Sequence, residues 1–307
     1  MLSSILPETL AVPCTGSSIP APRKWIAHPS DRLNVARALV APVILFAPFV
    51  FPVPDGCWVA YVVGAFMLVG DINHTLHLHV HRPFTRSSSF NLVLDVSMGV
   101  VSGMTSSNWR IQHLEGHHRG RDIGYHFASK WELERYSPLR ATSFCMRSIG
   151  PTFCAPLVES FHKGILTNMK LPISYRWAFC EQALLLTLLA FLSYFWPLTT
   201  LGYLLPWYVV TYFMTRYVDY LNHYGCDEAG GNMLAHANNS LAPWYNRLNN
   251  NFGYHTAHHF HAGAHWTELP ALHQKIADKI PRRCLKTFGW SFLLMPYHFF
   301  LSRSGRM

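Results

Sequence analysis

The chain has 307 residues, half of them hydrophobic, and only 13% are Asp, Glu, Lys or Arg. A soluble globular chain carries about 25% charged residues, so the composition argues against an ordinary water-soluble domain and for a membrane protein. The net charge of +9 is spread unevenly, as membrane topology produces, and no nucleic-acid partner is expected.

Residues 1–33 are rich in Ser, Pro and Thr, and Arg23 and Lys24 come late. That stretch shows no secretory signal and is expected to be a poorly ordered cytoplasmic tail. Nothing divides 34–301, which is expected to form a single membrane domain, with 302–307 as a short tail. No Lys or Arg occurs from Ala38 to His81, nor from Trp177 to Thr215. Each window holds two apolar runs around a turn. The first pair is Ala38–Val53 and Cys57–Gly70, broken at Pro54-Asp55-Gly56; the second is Trp177–Trp196 and Leu201–Thr215, broken near Pro197. The expected fold is all-α and integral to the membrane, with four transmembrane helices as two hairpins. The positive-inside rule turns the basic segments to the cytoplasm and both turns outward; in a bacterium this means the inner membrane. The runs fall short of the ~20 residues a span needs, so the helices must extend into polar flanks. Two weaker runs, Phe90–Met104 with Asp95 inside it and Phe288–Leu301, suit re-entrant or interfacial helices. Seven cysteines occur without a CxxC pair, which argues against a disulfide framework or a zinc ribbon.

Twelve of the 19 histidines fall in three clusters. They are His74, His77, His79 and His81; His113, His117 and His118; and His255, His258, His259, His261 and His265. An even number of expected spans separates the clusters, so all three emerge on one side, in a histidine-rich helical cap facing the cytoplasm. His77 and His81 are i and i+4 on one helical face, with His74 a turn back and His79 roughly opposite. His113 and His117 repeat that spacing with His118 adjoining, and His255, His258 and His259 are i, i+3 and i+4. Neutral imidazole is the commonest protein metal ligand, and one four-coordinate metal is saturated by about four ligands. Eight imidazoles therefore imply two metals, of the kinds that suit nitrogen donors.

Other constellations fit less well. Glu115-x-x-His118 and Glu159-x-x-His162 match the Glu-x-x-His pairs of soluble di-iron proteins, but that reading leaves the histidine clusters unexplained. A histidine-rich membrane metal-binding or transport protein would line a path through the spans. A di-haem cytochrome would carry His pairs within them. None of the four apolar runs of the two hairpins contains a histidine.

The three clusters resemble the histidine boxes of the integral-membrane fatty acid desaturase superfamily, which also holds membrane alkane hydroxylases, xylene monooxygenases and carotenoid oxygenases. Trp109-Arg110 is similar to the WR that often precedes the second box of desaturases. His259-Phe260-His261, His265-Trp266 and Leu269-Pro270-Ala271-Leu272-His273 resemble the tail of the third. Gln112-His113-Leu114-Glu115-Gly116-His117-His118 resembles the EHxxGHH of alkane hydroxylases, with Gln for the first Glu. Asp219-Tyr220-Leu221-Asn222-His223-Tyr224-Gly225 resembles their NYxEHYG, with Asp for Asn and Asn for Glu. The first box departs from theirs at Leu78 and Arg82. The resemblance covers roughly 35–285.

The resemblance implies two non-haem irons that use O2 against an unactivated C–H. The metal ligands would be His77, His81, His113, His117, His118, His255, His258 and His259, with His223 as a ninth. Metal-bound imidazoles donate their other N–H to nearby polar groups; Asp71, Glu115, Asp122, Asn222 and Asn251 are candidates for that support. The implied activity is insertion of a double bond into a fatty acyl chain, or else hydroxylation of an alkane or other alkyl chain. The substrate would be an acyl chain carried on acyl carrier protein or coenzyme A, with its tail in the bilayer. No GxGxxG or CxxC occurs, so electrons must come from a separate ferredoxin or rubredoxin. Arg82, Arg86, Arg110, Arg119 and Arg121 could steer such acidic partners.

Overall fold

A computed structural model describes residues 25–118, 130–149, 175–227 and 231–286. Asp122, Arg119, Arg121, the run Phe288–Leu301 and the tail 302–307 lie outside the described residues, as does the side chain of Glu115. The described chain is mostly helical, as expected for an all-α fold. Its helices are α1 (Arg32–Phe46), α2 (Trp58–Val69), α3 (Ile72–His81), α4 (Ser88–Ser102), α5 (Ser106–Trp109), α6 (Lys130–Leu133), α7 (Pro138–Arg147), α8 (Tyr175–Phe195), α9 (Pro197–Thr199), α10 (Leu205–His223), α11 (Pro243–Leu248), α12 (His255–Phe260) and α13 (Leu269–Gln274). A two-stranded parallel pair joins β1 (Asn239–Ser240) to β2 (Leu285–Lys286).

Among the described residues, three helical stretches are long and apolar enough to cross a membrane: Pro29–Phe49, Asp55–His81 and Arg176–Phe195. Their outer faces leave Val43, Val59, Met67, Leu68, Leu186 and Phe191 exposed, as lipid-facing positions must be. The expected fourth run, Leu201–Thr215, enters α10, which falls outside that set. The reason is its composition: the second half of α10 carries Arg216, Asp219, Asn222 and His223. The run Phe90–Met104 forms most of α4, a 15-residue helix, shorter than a span requires.

The second stretch sets the depth of the first histidine box. It is 27 residues long, or ~40 Å at 1.5 Å per residue, against a hydrocarbon core of ~30 Å. His77 and His81 sit on its last two turns. Helix α4 packs beside α1 and α3. It starts with the Ser87 hydroxyl accepting from Phe90 N and ends at Gly103, whose φ of +73° favours glycine. There α10 locks on: Trp207 Nε1 donates to Val101 O at 3.0 Å and Tyr208 Oη to Val100 O at 2.5 Å. Helix α8 fastens α5 through Glu181, which accepts from Ser107 N at 3.0 Å, and Gln182, which accepts from Asn108 Nδ2 at 2.5 Å.

Within residues 25–33, which the sequence reading places in the tail, several groups bond the rest of the chain. Ala27 N donates to Phe84 O and Arg86 N to Trp25 O. Asp31 is 2% exposed; its carboxylate accepts from Trp266 Nε1 at 2.9 Å and lies 3.0 Å from His265 Nε2. The His265-Trp266 pair thus latches the chain after the third box to the start of the first span. Removing one partner of a buried polar group leaves the others unsatisfied. Asp31→Ala should therefore cost about 2–4 kcal/mol, seen as a lower unfolding temperature in detergent, whereas Asp31→Asn should recover part of it.

Candidate metal centre

The structure sorts nine imidazoles into two groups. The first is His77, His81, His113, His118 and His258; the second is His117, His223, His255 and His259. Within each group the nitrogen donor atoms lie within 4.8 Å of one another. Each group draws on three separate stretches of chain, so tertiary packing makes it.

The first box behaves as its spacing predicts. His77 and His81 sit a turn apart on α3 with ring centroids 4.8 Å apart. In the second box His113 and His117 stack with ring centroids 5.0 Å apart yet fall in different groups. The cause is local: Arg110–His118 winds as a π-helix, which closes its hydrogen bonds from i to i+5. The wider turn brings His118, five residues on, against His113, with Nε2···Nε2 of 3.1 Å. His117 turns to the second group and meets His259 Nε2 at 3.2 Å. The third box splits too: α12 sends His258 to the first group and His255 and His259 to the second. His223 closes α10 and joins the second group.

These donors fit a metal. Bonds of about 2.0–2.1 Å put two nitrogens on one ion roughly 3.0–3.4 Å apart, and both close Nε2 pairs match that chord. The Nε2 atoms of His77, His81, His223, His255 and His258 are buried without a hydrogen-bond partner. Five orphaned acceptors or donors in one core would be costly unless they bind something. His223 Nδ1 lies 3.0 Å from His236 O, and the backbone of Ala262 bonds His81. Such anchors fix the ring and free the other nitrogen.

Burial, and then the crowding of neighbouring imidazoles, pushes the His113, His117, His118, His255 and His259 pKa values well below the ordinary value. Burial also lowers His258 to about 3. The rings are therefore neutral, the form that ligates. In the metal-free protein this destabilises the fold in acid. Below the unfolded pKa of about 6.5 the unfolded chain takes protons that the folded rings refuse, so stability falls as pH drops toward the folded values. Stripped of metal, the protein should melt at a lower temperature at pH 5 than at pH 7.5, with His258 alone contributing about 2 kcal/mol.

The remaining predicted residues scatter. His79 faces away, as expected: its Nδ1 accepts from Phe84 N at 3.2 Å and its Nε2 lies 3.5 Å from Asp95. Asp95, noted in the sequence only as a charge in an apolar run, holds Arg110 at 3.0 Å and accepts from Ser106. Arg110 is thereby held against Asp95, with its side chain 22% exposed. His261 lies outside both groups, and His273 packs on Tyr254. Asp71 pairs with Arg37 at 3.9 Å. Asn251 donates to Trp266 O at 3.1 Å, away from the imidazoles. Asn222 lines a cavity beside the centre. Asp219, a polar residue close to the box in sequence, lies 4.0 Å from His223 Nε2. One neighbour was missed. His236 sets its ring tilted at 5.3 Å from that of His223 and edge-on at 5.0 Å from that of His259; it has no periodic partner in sequence that would mark it.

The cavity encloses about 890 Å³ including its open mouth. It reaches His77 and His113 of the first group and His117 and His255 of the second, so a molecule lying in it touches both.

Residues 55–290 match the family model described as fatty acid desaturase. No curated protein and no solved structure matches the chain. The matched segment takes in all three histidine boxes and two of the three membrane-crossing stretches. The chain belongs to the fatty acid desaturase family.

Proposed function

We propose that the protein is an O2-dependent, non-haem di-iron oxidoreductase that introduces a double bond into a fatty acyl chain. The family and the histidine groups point to a membrane oxidoreductase with a metal cofactor, iron. One observation carries the count of two. His117 and His118 are adjacent in sequence yet belong to different groups, and so are His258 and His259. The same two segments therefore wrap two ligand sets back to back, with His118 and His259 ring centroids 4.7 Å apart. In this reading His77, His81, His113, His118 and His258 hold one iron and His117, His223, His255 and His259 the other. Bound iron would supply the activation of O2 and the oxidising power that an unactivated C–H requires. The chain's own part is to hold the rings neutral and oriented, to seat the alkyl chain in the cavity between the groups, and to keep bulk water from it.

Hydroxylation is the second reading, favoured by His223. Its place in the second group and in Asp219-Tyr220-Leu221-Asn222-His223-Tyr224-Gly225 is that of the alkane hydroxylase motif. The topology that goes with either reading has α10 as the fourth crossing, two hairpins, and the histidine cap on the cytoplasmic side. The crossing lengths in the first three stretches and the basic-free windows support it. Electrons would come from a ferredoxin or rubredoxin meeting the face around Arg82, which is 45% exposed.

Expression beside a ferredoxin and its reductase tests the proposal. The purified protein should hold about two irons per chain, the number that two ligand sets of this size require, without a haem absorption band. Its product from an acyl chain should be an alkene without label from 18O2. A labelled alcohol would replace desaturation by hydroxylation; a metal-free or haem-containing protein would end both readings.

A further inference from the structure

The cavity beside the centre is not a plain hydrocarbon tunnel. Its wall includes Met214, Val218 and Phe252, but also Asn73, His74, Thr215, Asn222 and Trp109, whose Nε1 is a buried donor without a partner. Two of these polar groups are fixed as acceptors. Asn73 is 6% exposed; its Nδ2 donates to Thr211 O at 3.3 Å and to Thr215 Oγ1 at 2.8 Å. A backbone carbonyl only accepts, so the amide cannot be flipped, and the other atom is the carbonyl oxygen. That Oδ1 is buried with no partner in the protein. His74 bonds the backbone of Asn249 through its ring, which leaves Nε2 as the acceptor, and Nε2 is also buried without a partner. Neither atom belongs to the two imidazole groups.

A buried acceptor left unmatched costs about 1–3 kcal/mol. Two of them lining one cavity select a ligand that brings a donor. His74 also lies close to the centre, its ring centroid 6.0 Å from that of His77. A donor seated there is only a few bonds from the carbon that the imidazole groups face. We infer that this protein acts on a long-chain lipid bearing a hydrogen-bond donor, a hydroxyl or an amide N–H, near the carbon attacked, and that Asn73 and His74 select that donor. The inference rests on the proposed oxidation of an alkyl chain and names its substrate class. A hydrocarbon, or an ester or thioester whose polar group only accepts, would leave both atoms unmatched. A site built around such a hydrogen bond discriminates strongly against analogues that lack it.

The test is equilibrium binding to the full-length, detergent-solubilised, iron-loaded protein. The probes are hexadecan-1-ol, N-methylhexadecanamide, methyl hexadecanoate and hexadecane, each competing against a labelled alcohol. The alcohol or the amide should bind at least about tenfold more tightly than the ester and the alkane, and whichever wins identifies the donor as hydroxyl or amide. His74→Phe and Asn73→Leu preserve shape and remove the acceptors; each should shrink that preference toward one while leaving the alkane's affinity in place. Equal affinity for all four probes in the unaltered protein would overturn the inference, since water would then suffice for both acceptors. So would an undiminished preference in the two variants. If either variant fails to fold, the ranking in the unaltered protein decides alone. Iron content and oxidation of any alkyl probe are read on the same samples. An iron-loaded protein that oxidises alkyl chains without preferring donors refutes this inference only, while one that neither holds iron nor oxidises refutes the proposed function.

Discussion

Replacing His117 by Ala should yield a folded protein with no measurable oxidation of any alkyl substrate and with about half the iron. His117 is 6% exposed and stands between three other imidazoles of its group, with ring centroids 4.8 Å from His223 and 4.7 Å from His259. Losing it leaves the second group three rings, one fewer than a four-coordinate ion takes from such a set. Even disturbing a ligand's support costs 10–100-fold in metal affinity or activity, and losing the ligand itself should cost at least ~10²-fold. His258→Ala takes one of five rings from the first group, where it lies 4.5 Å from that of His81; four remain, so activity should fall with a smaller loss of iron. His273→Ala is the control. That ring is buried but lies outside both groups, so iron content should hold and activity should persist. Iron measured per folded chain, beside product formation, separates these cases. Full activity in His117→Ala would dismantle the shared centre.

Gly253→Ala should be nearly as damaging, with no ligand touched. A Cβ at Gly253 would stand 2.6 Å from Asn246 Oδ1 and closer still to the carbonyl oxygen of Ser240. The glycine is gripped from both sides: its N–H donates to Asn246 Oδ1 at 3.0 Å and its carbonyl accepts from Ser240 N at 2.9 Å. The nearest obstacle is backbone, so no rotamer change relieves the clash. Something must shift, and the next segment is α12, where His255 is two residues on. Overpacking of this kind costs ~1–3 kcal/mol and occasionally more; a clash with backbone belongs at the upper end. The expected result is a lower unfolding temperature and a selective loss of iron from the group that holds His255. Gly64→Ala, where an added Cβ meets nothing within 4 Å, should be close to neutral in the same assay.

The difference between these two variants shows where local pattern stops being informative. Spacing marked His77 and His81 because an α-helix repeats every 3.6 residues, and the structure puts them side by side. The same rule does not say which group each histidine of the second box joins, because Arg110–His118 is wound as a π-helix. Nothing local announces that winding. It accompanies long-range anchors on either side: Asp95 on Arg110, and Arg216 on Gln112 at 3.1 Å. Asp95 illustrates the same limit. In sequence it is a charge spoiling an apolar run; in the fold it ties together α4, α5 and the back of the first box. His236, Asp219 and Gly253 matter through what lies opposite them, and no periodicity records an opposite partner.

The sequence by itself determined the class of molecule, a membrane oxidoreductase of the fatty acid desaturase family. Apolar runs without basic residues specify membrane helices because charge is expensive in hydrocarbon, and the nine box and HYG histidines can be named from the chain alone. Only the tertiary structure decided how they divide. It allots five imidazoles to one group and four to the other, splits both adjacent pairs between them, and places Asn73 and His74 in the wall of the cavity that both groups share. The physical reason is that a residue's type and spacing fix its face on its own helix. Which donors meet at one point depends on how separate helices cross, and that is set by packing among residues far apart in the chain.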